Sequence, residues 1–325
     1  MRKFRFVIAA LSIFVAVSPV FGQTSPDPSG MAAEIVRLYK AEQFGAALPL
    51  AKRLVALRES EKTAKQTDLA DAYRLLGLIM LGSGESSGAK ENLRRSTEIY
   101  EAVDPATNES NLALAGLYGE LAVIVFMEKD SNGALELLSK AAEKKTAVFG
   151  AESVEVADTL WDAGNIEYFR KNYKKAYERY RRVYEIRASK FGTMLAFESE
   201  MRYECTAKKT GNEFVRYVDP TGKSGSDESF GGTRIVKGGV VNGKAINLVK
   251  PEYPMEARRN RATGSVQVSV TIDESGSVIF ACAIAGPSVF YEATEMAAYA
   301  SKFSPTRLNG NPVKVSGAIV YKFRP

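Results

Sequence analysis

The chain has 325 residues, 45% of them hydrophobic and 25% charged, enough for two globular domains that each bury a core. The formal charge of +6 falls to about +3 once Arg2, Lys3 and Arg5 are set aside with the first segment, too mild a surplus to indicate a nucleic-acid partner. With no histidine and only two cysteines, Cys205 and Cys282, no catalytic triad, zinc site, cysteine-rich metal site or disulfide framework is expected, and no cofactor.

Residues 1–22 read MRKFRFVIAALSIFVAVSPVFG, a basic start followed by an apolar run of 12 over residues 6–17 and then Ser18, Pro19 and Gly22. This is the pattern of a secretory signal peptide cleaved after Gly22. The alternative is an uncleaved anchor in contact with the inner membrane, but the run is shorter than the roughly 18 apolar residues of a spanning helix.

Residues 23–209 read as a helical array. Four segments align on Ala47, Ala89, Ala134 and Ala176, at spacings of 42, 45 and 42 residues, each with an apolar helix, a short polar break and a second helix. A period of this size signals a stacked repeat. Two antiparallel helices approach closely only where a side chain is nearly absent, so Gly77 and Gly164, 12 residues before their alanines, are expected to face them. The third unit has Ala122 there, and the first has Ile35 instead. With Tyr73 or Leu160 four residues before the glycine, these positions resemble the tetratricopeptide repeat in its long form, as in kinesin-light-chain-like arrays. Residues 191–209 then form a final helix over the exposed end of the stack, carrying Cys205.

The repeat resemblance implies a protein or extended peptide bound on the face made by the first helices, where Arg74, Phe126, Trp161, Asn165 and Phe169 fall by register. Phe126 and Phe169 are also readable as inter-repeat core. Asn165 offers an amide suited to a ligand's backbone, but its equivalents are Leu78 and Val123, so no asparagine ladder names the ligand.

Over residues 210–244 the periodicity stops, and the glycine and serine density reads as a flexible linker. Gly238, Gly243 and Lys244 mimic a phosphate-loop spacing, but Ala245 stands where Ser or Thr is required and no helix follows, so no nucleotide site is expected.

Residues 245–325 change period. Val266, Val268, Val270 and Ile272 alternate with polar residues, DESG turns the chain, and Val278, Phe280, Cys282 and Ile284 repeat the alternation: a hairpin with one buried face. Residues 288–303 read as a helix with Val289, Ala293, Met296, Ala297, Ala300 and Phe303 on one side, ended by Pro305. A last strand follows, with Val313, Val315, Ile319, Tyr321 and Phe323 in phase. The fold class is therefore multidomain: an all-α repeat array followed by a small α+β domain whose antiparallel sheet packs on a helix.

Over residues 251–323, PEYPMEAR, GSVQVSVTIDESGSV, Phe303 with Pro305, and NGNPVKVSGAIVYKF together resemble the C-terminal domain of TonB proteins, which couple inner-membrane energy to outer-membrane transporters. The resemblance implies that a partner's short extended segment, in the family case that of an outer-membrane transporter, adds as a strand to a sheet edge. The last strand, residues 313–323 with Val315, Ile319 and Tyr321, is the expected edge, and Tyr253, Pro254, Arg258, Arg259 and Arg261 line its approach. RRNR at 258–261 also reads as a solvated helix face, and a homodimer through this domain stays open. Two departures count against an energy transducer. Ser301 and Lys302 replace the family's Trp-Arg, and the 12 prolines are scattered rather than gathered into a spacer.

These readings favour a non-enzymatic periplasmic adaptor over a TonB-type transducer anchored in the inner membrane. Catalysis would have to rest on carboxylates such as Glu167, which read as solvated helix faces. Cys282, in step with Phe280 and Ile284, is expected to pack as a small apolar residue. An oxidising compartment also permits a bond to Cys205, which would lock the two domains together.

Overall fold

The alanine period has a counterpart in the backbone. Glu42, Gly84, Lys129 and Lys171 all take positive φ, between 56° and 85°, each five residues before its alanine. The next amide then reaches back into the helix just ended: Gln43 to the Leu38 carbonyl, Glu85 to Met80, Asp130 to Val125 and Asn172 to Glu167. A left-handed residue that closes the last turn this way stops the helix and turns the chain. The same device thus recurs in all four units, including the first, where the glycine signature is missing.

The structure is a computed structural model that describes residues 27–61, 65–103, 105–192, 196–218, 236–241, 243 and 245–324. The leader reading of residues 1–22, the central part of the 210–244 segment and Lys244 lie outside the described residues. The chain divides between Val148 and Phe149 into two compact units.

The first unit is helical: α1 (Pro28–Lys40), α2 (Phe44–Ser60), α3 (Gln66–Gly82), α4 (Ser86–Glu101), α5 (Asn108–Met127) and α6 (Ser131–Phe149). Ala47, Ala89 and Ala134 are fully buried. Gly77 faces Ala89 as expected: a Cβ there would lie 2.8 Å from Leu93 Cγ and 3.1 Å from the Ala89 carbonyl oxygen, so α3 and α4 sit closer than a larger residue allows. Ile35 is fully buried with Leu38, Leu54 and Ile79, which is how the first unit packs without the glycine. Helix α5 is long and apolar enough to cross a membrane by length and composition, yet it buries Leu114, Leu117, Leu121 and Ile124 in the core.

The second unit begins with α7 (Val154–Phe169), α8 (Tyr173–Phe191) and α9 (Phe197–Thr210). Gly164 faces the Tyr180 ring rather than Ala176. Helix α9 packs Tyr203 onto Tyr177 and Tyr184, with ring centroids 5.2 and 5.8 Å apart. The chain beyond α9 stays on this surface, with Phe214 5.0 Å from Tyr203 and the Tyr217 amide donating to the Tyr184 hydroxyl.

Then come β1 (Val236–Val240), β2 (Ala245–Asn247), α10 (Met255–Arg259), β3 (Gly264–Ile272), β4 (Val278–Ala285), α11 (Tyr291–Ala300), β5 (Lys302–Phe303), β6 (Thr306–Leu308), β7 (Asn311–Val313) and β8 (Val315–Phe323). The main sheet has the order β1-β8-β3-β4. Strands β8, β3 and β4 are antiparallel as expected, but β1 joins parallel to β8 from within the glycine-rich stretch, so the sheet is mixed.

Two sequence readings of this domain are corrected. The β4 alternation does not serve one core. The β3–β4 register shifts between Thr271 and Ile272, pairing them with Phe280 and Val278 and leaving Ile279 as a bulge, so the faces exchange. Val278, Ala281 and Ala283 pack in the core that contains α11, whereas Phe280, Cys282 and Ile284 face Cys205, Met201 and Tyr168. Helix α11 is also rotated from its expected face: it buries Thr294, Ala297 and Ala298, small residues that let it lie close to the sheet, and leaves Met296 67% exposed.

Candidate partner-binding surfaces

The last strand is not an edge. β8 lies between β3 and β1, and the side chains of Val315, Ile319 and Tyr321 point into the domain core, each at least 94% buried. They are unavailable to a partner's side chains because the face they occupy is the one packed in that core. What β8 offers is backbone, and β1 covers its first half, with registers Val236 to Val315 and Val240 to Ala318. The Val241 amide donates to the Ala318 carbonyl at 2.9 Å, and its side chain enters the core at 1% exposure.

β8 runs on to Phe323 beyond β1. Beside that stretch lies an open groove of about 720 Å³, walled by Val240, Pro251, Tyr253 and Phe323 and carrying the cations Lys250, Lys322 and Arg324. Tyr253 is placed by edge contacts to Phe290 and Phe323, with ring centroids 5.5 and 5.7 Å away, and its hydroxyl donates to the Ala262 carbonyl. Pro254 precedes α10 in extended backbone. The Arg258 guanidinium lies 6.0 Å from the Tyr253 ring centroid, and Arg258, Arg259 and Arg261 are all exposed. Of the residues expected at the approach, Tyr253 thus lines the groove, Arg258 borders Tyr253, and Arg259 and Arg261 point to solvent.

The opposite edge is blocked. Glu295 on α11 accepts from the Ala283 amide of β4 at 2.8 Å, from Lys209 Nζ at 2.9 Å and from the Tyr168 hydroxyl at 3.0 Å. Lys209, on α9, is 2% exposed and stands 4.5 Å from the Tyr291 ring centroid and 5.0 Å from that of Tyr173. Burial pushes its amine down from the usual lysine range, against the pull of Glu295, and holds the Tyr168 hydroxyl well above the usual phenol range. Arg202 lies over both Tyr168 and Phe280, 5.2 and 5.3 Å from their centroids. In the midst of this, Cys205 and Cys282 form a disulfide, with Cα atoms 6.0 Å apart. Cys282 is buried, as its phase required, but on the face toward α9, where it is a crosslink. Sequence reasoning missed the Glu295 cluster because its members come from α7, α9, β4 and α11, far apart along the chain and with no shared spacing.

The array residues divide between the units. In the first, Arg74 is engaged by Glu120 in a two-pronged ion pair at 2.6–3.0 Å, both side chains nearly buried, and Phe126 is half-buried. Burial raises the Glu120 carboxyl despite the arginine. In the second, Trp161 packs 5.3 Å from Tyr180 under the Arg187 guanidinium. The Asn165 oxygen accepts from the Tyr180 hydroxyl at 2.8 Å, and Phe169 is exposed. Glu167 is not on a solvated face: it is 1% exposed and accepts from the Asn172 amide group at the turn after α7.

Helical hairpins in both units, followed in the second by a sheet with one edge capped at Ala283 and the other covered by β1, make a chain of two module types. Residues 113–189 match the tetratricopeptide repeat family, and residues 249–325 match the family described as Gram-negative bacterial TonB protein C-terminal. The chain thus carries tetratricopeptide repeats and a TonB C-terminal domain, module types that are typically non-catalytic, the second of them a domain of the Gram-negative cell envelope. Among solved structures, BtubC (BKLC) from P. vanneervenii aligns with a TM-score of 0.50 at 19% identity, over 57% of this chain and 76% of that one, a likeness of fold. The nearly identical TPR-like repeats of a Podosopora anserina kinesin light chain align at 0.49 and 17% identity, over 57% and 90%. Aspartyl phosphate phosphatase F from Bacillus subtilis aligns at 0.46 and 13% identity, over 57% and 46%. No curated protein matches the chain.

Proposed function

We propose that the protein is a non-enzymatic adaptor of the periplasm, exported by the segment 1–22, with two binding modules: the repeat region 23–209 for one protein partner and the sheet region 245–325 for an extended segment of another. An envelope protein such as an outer-membrane transporter is the partner class that the TonB relatives suggest for the sheet. Strand addition supplies the chemistry, because main-chain hydrogen bonds give affinity and side-chain positions give selectivity.

The observation that carries the adaptor reading is the fixing of β4 to α9 by the Cys205–Cys282 bond and the Glu295 cluster. A transducer needs its sheet domain at the end of a long free spacer. Here the domain is held at the last repeat helix, and a disulfide suits an oxidising compartment. Intact mass and fractionation from the native host test this. The adaptor reading expects a soluble periplasmic chain beginning at Gln23 with no free thiol. A full-length membrane-bound chain would favour the transducer.

A further inference from the structure

We propose that β1 is a placeholder: the chain's own residues 236–241 occupy in cis the strand-binding site on β8, and a partner's parallel segment, with a small β-branched anchor followed by acidic residues, exchanges with it. The proposal rests on the strand-addition reading and adds what regulates that site and what chemistry it selects.

Several features mark β1 as replaceable. It is short, its register on β8 breaks between Lys237 and Val240, and Gly239 holds a positive φ of 61°. Among its described side chains the anchor is Val241, seated over Gly317; a Cβ on Gly317 would lie 2.6 Å from Val241 Cγ1 and 2.9 Å from the Gly239 carbonyl oxygen. Glycine at 317 is thus what opens the slot. The opposite sheet edge has its Ala283 amide capped by Glu295, so an incoming strand meets resistance there that β1 does not offer.

The chemistry of the incoming strand follows from direction and charge. β1 runs parallel to β8 and its chain then leaves to form β2, while β8 continues to Phe323. A longer parallel strand would continue along that stretch into the groove. There it meets Lys250, Lys322 and Arg324, and no carboxylate is among the described lining residues. Acidic residues just past the anchor would gain these charges; the chain's own sequence at 242–244 contains no acidic residue.

The test uses the full chain and two labelled peptides, VKGGVVDVEV and its basic counterpart VKGGVVKVKV, with binding read by fluorescence anisotropy. Gly239→Pro, which cannot adopt the positive φ, and Val241→Asp both release β1, and Gly317→Val fills the slot. We expect the acidic peptide to bind the two release variants about tenfold or more tighter than wild type, since the cis segment no longer competes. We also expect it to outbind the basic peptide and to lose binding with Gly317→Val. Equal affinity for wild type and both release variants would overturn the placeholder while leaving strand addition standing. Equal affinity of the two peptides would overturn the acidic selectivity. No binding to any variant whose near-UV circular dichroism matches wild type would overturn the strand site itself.

Discussion

Replacing Cys205 and Cys282 together by alanine is expected to destabilise the second unit by about 4.5 kcal/mol. The bond joins residues 77 apart in sequence, and in a chain-entropy treatment a crosslink over a loop of that length removes about this much freedom, as free energy at 25 °C, from the unfolded state. For a unit of this size each kcal/mol shifts the melting temperature by about 2–4 °C, so the transition should fall by about 9–18 °C. Alanine keeps the site apolar, and Phe280, Met201 and Tyr168 remain packed around it. Calorimetry of the wild-type chain, the same chain with a thiol reductant, and the double variant measures the effect. The reduced wild type should melt close to the variant. An unreduced wild-type transition that superimposes on that of the double variant within about 2 °C, or two labelled thiols in the denatured, unreduced wild type, would refute the reasoning.

Glu295→Ala should cost about 3–5 kcal/mol in urea unfolding, because it strands the buried Lys209 ammonium and uncaps Ala283; adding Lys209→Met should recover a large part, and a single-variant loss below about 1 kcal/mol would contradict the cluster's role. Tyr100, Tyr118, Tyr168, Tyr173 and Tyr180 are all pushed above the usual phenol range by burial first, Tyr173 to about 12. Groups whose pKa is raised in the folded state contribute stability that is intact below about pH 10 and lost as pH rises further, so phenolate absorbance at 295 nm should lag free tyrosine and then rise with unfolding; a titration matching free tyrosine would count against this packing. Arg258→Ala with Arg259→Ala, both exposed, should change stability by less than about 0.5 kcal/mol while weakening the acidic peptide severalfold in anisotropy; unchanged affinity would remove these arginines from the binding surface.

The repeat was legible because a helix pair fixes small residues where backbones touch: the aligned alanines are buried and Gly77 faces Ala89. The left-handed turns that end each first helix were not, since Glu42, Lys129 and Lys171 are not turn-forming types; only the backbone shows that they share a conformation with Gly84. In the sheet domain the alternation of β3 gave a true face. β4 misled because a bulged residue, Ile279, exchanges the faces of the residues from Phe280 to Ala283, which a period-two pattern cannot register. β1 was hidden for a different reason: VKGGV carries the composition of a linker and becomes a strand only because Gly317 leaves room beside β8. Of the expected site, Tyr253 lies where a partner would pass, whereas Val315, Ile319 and Tyr321 spend their side chains on the core.

The most direct measurement is site-specific photocrosslinking in the native host, with a photoreactive phenylalanine analogue at Lys322, exposed on β8 beside the groove. The crosslinked peptide is then sequenced. The adaptor account predicts adducts on an extended segment of another envelope protein, lost when Gly317→Val is added. No adduct above background, or adducts on cytoplasmic proteins alone, would contradict it.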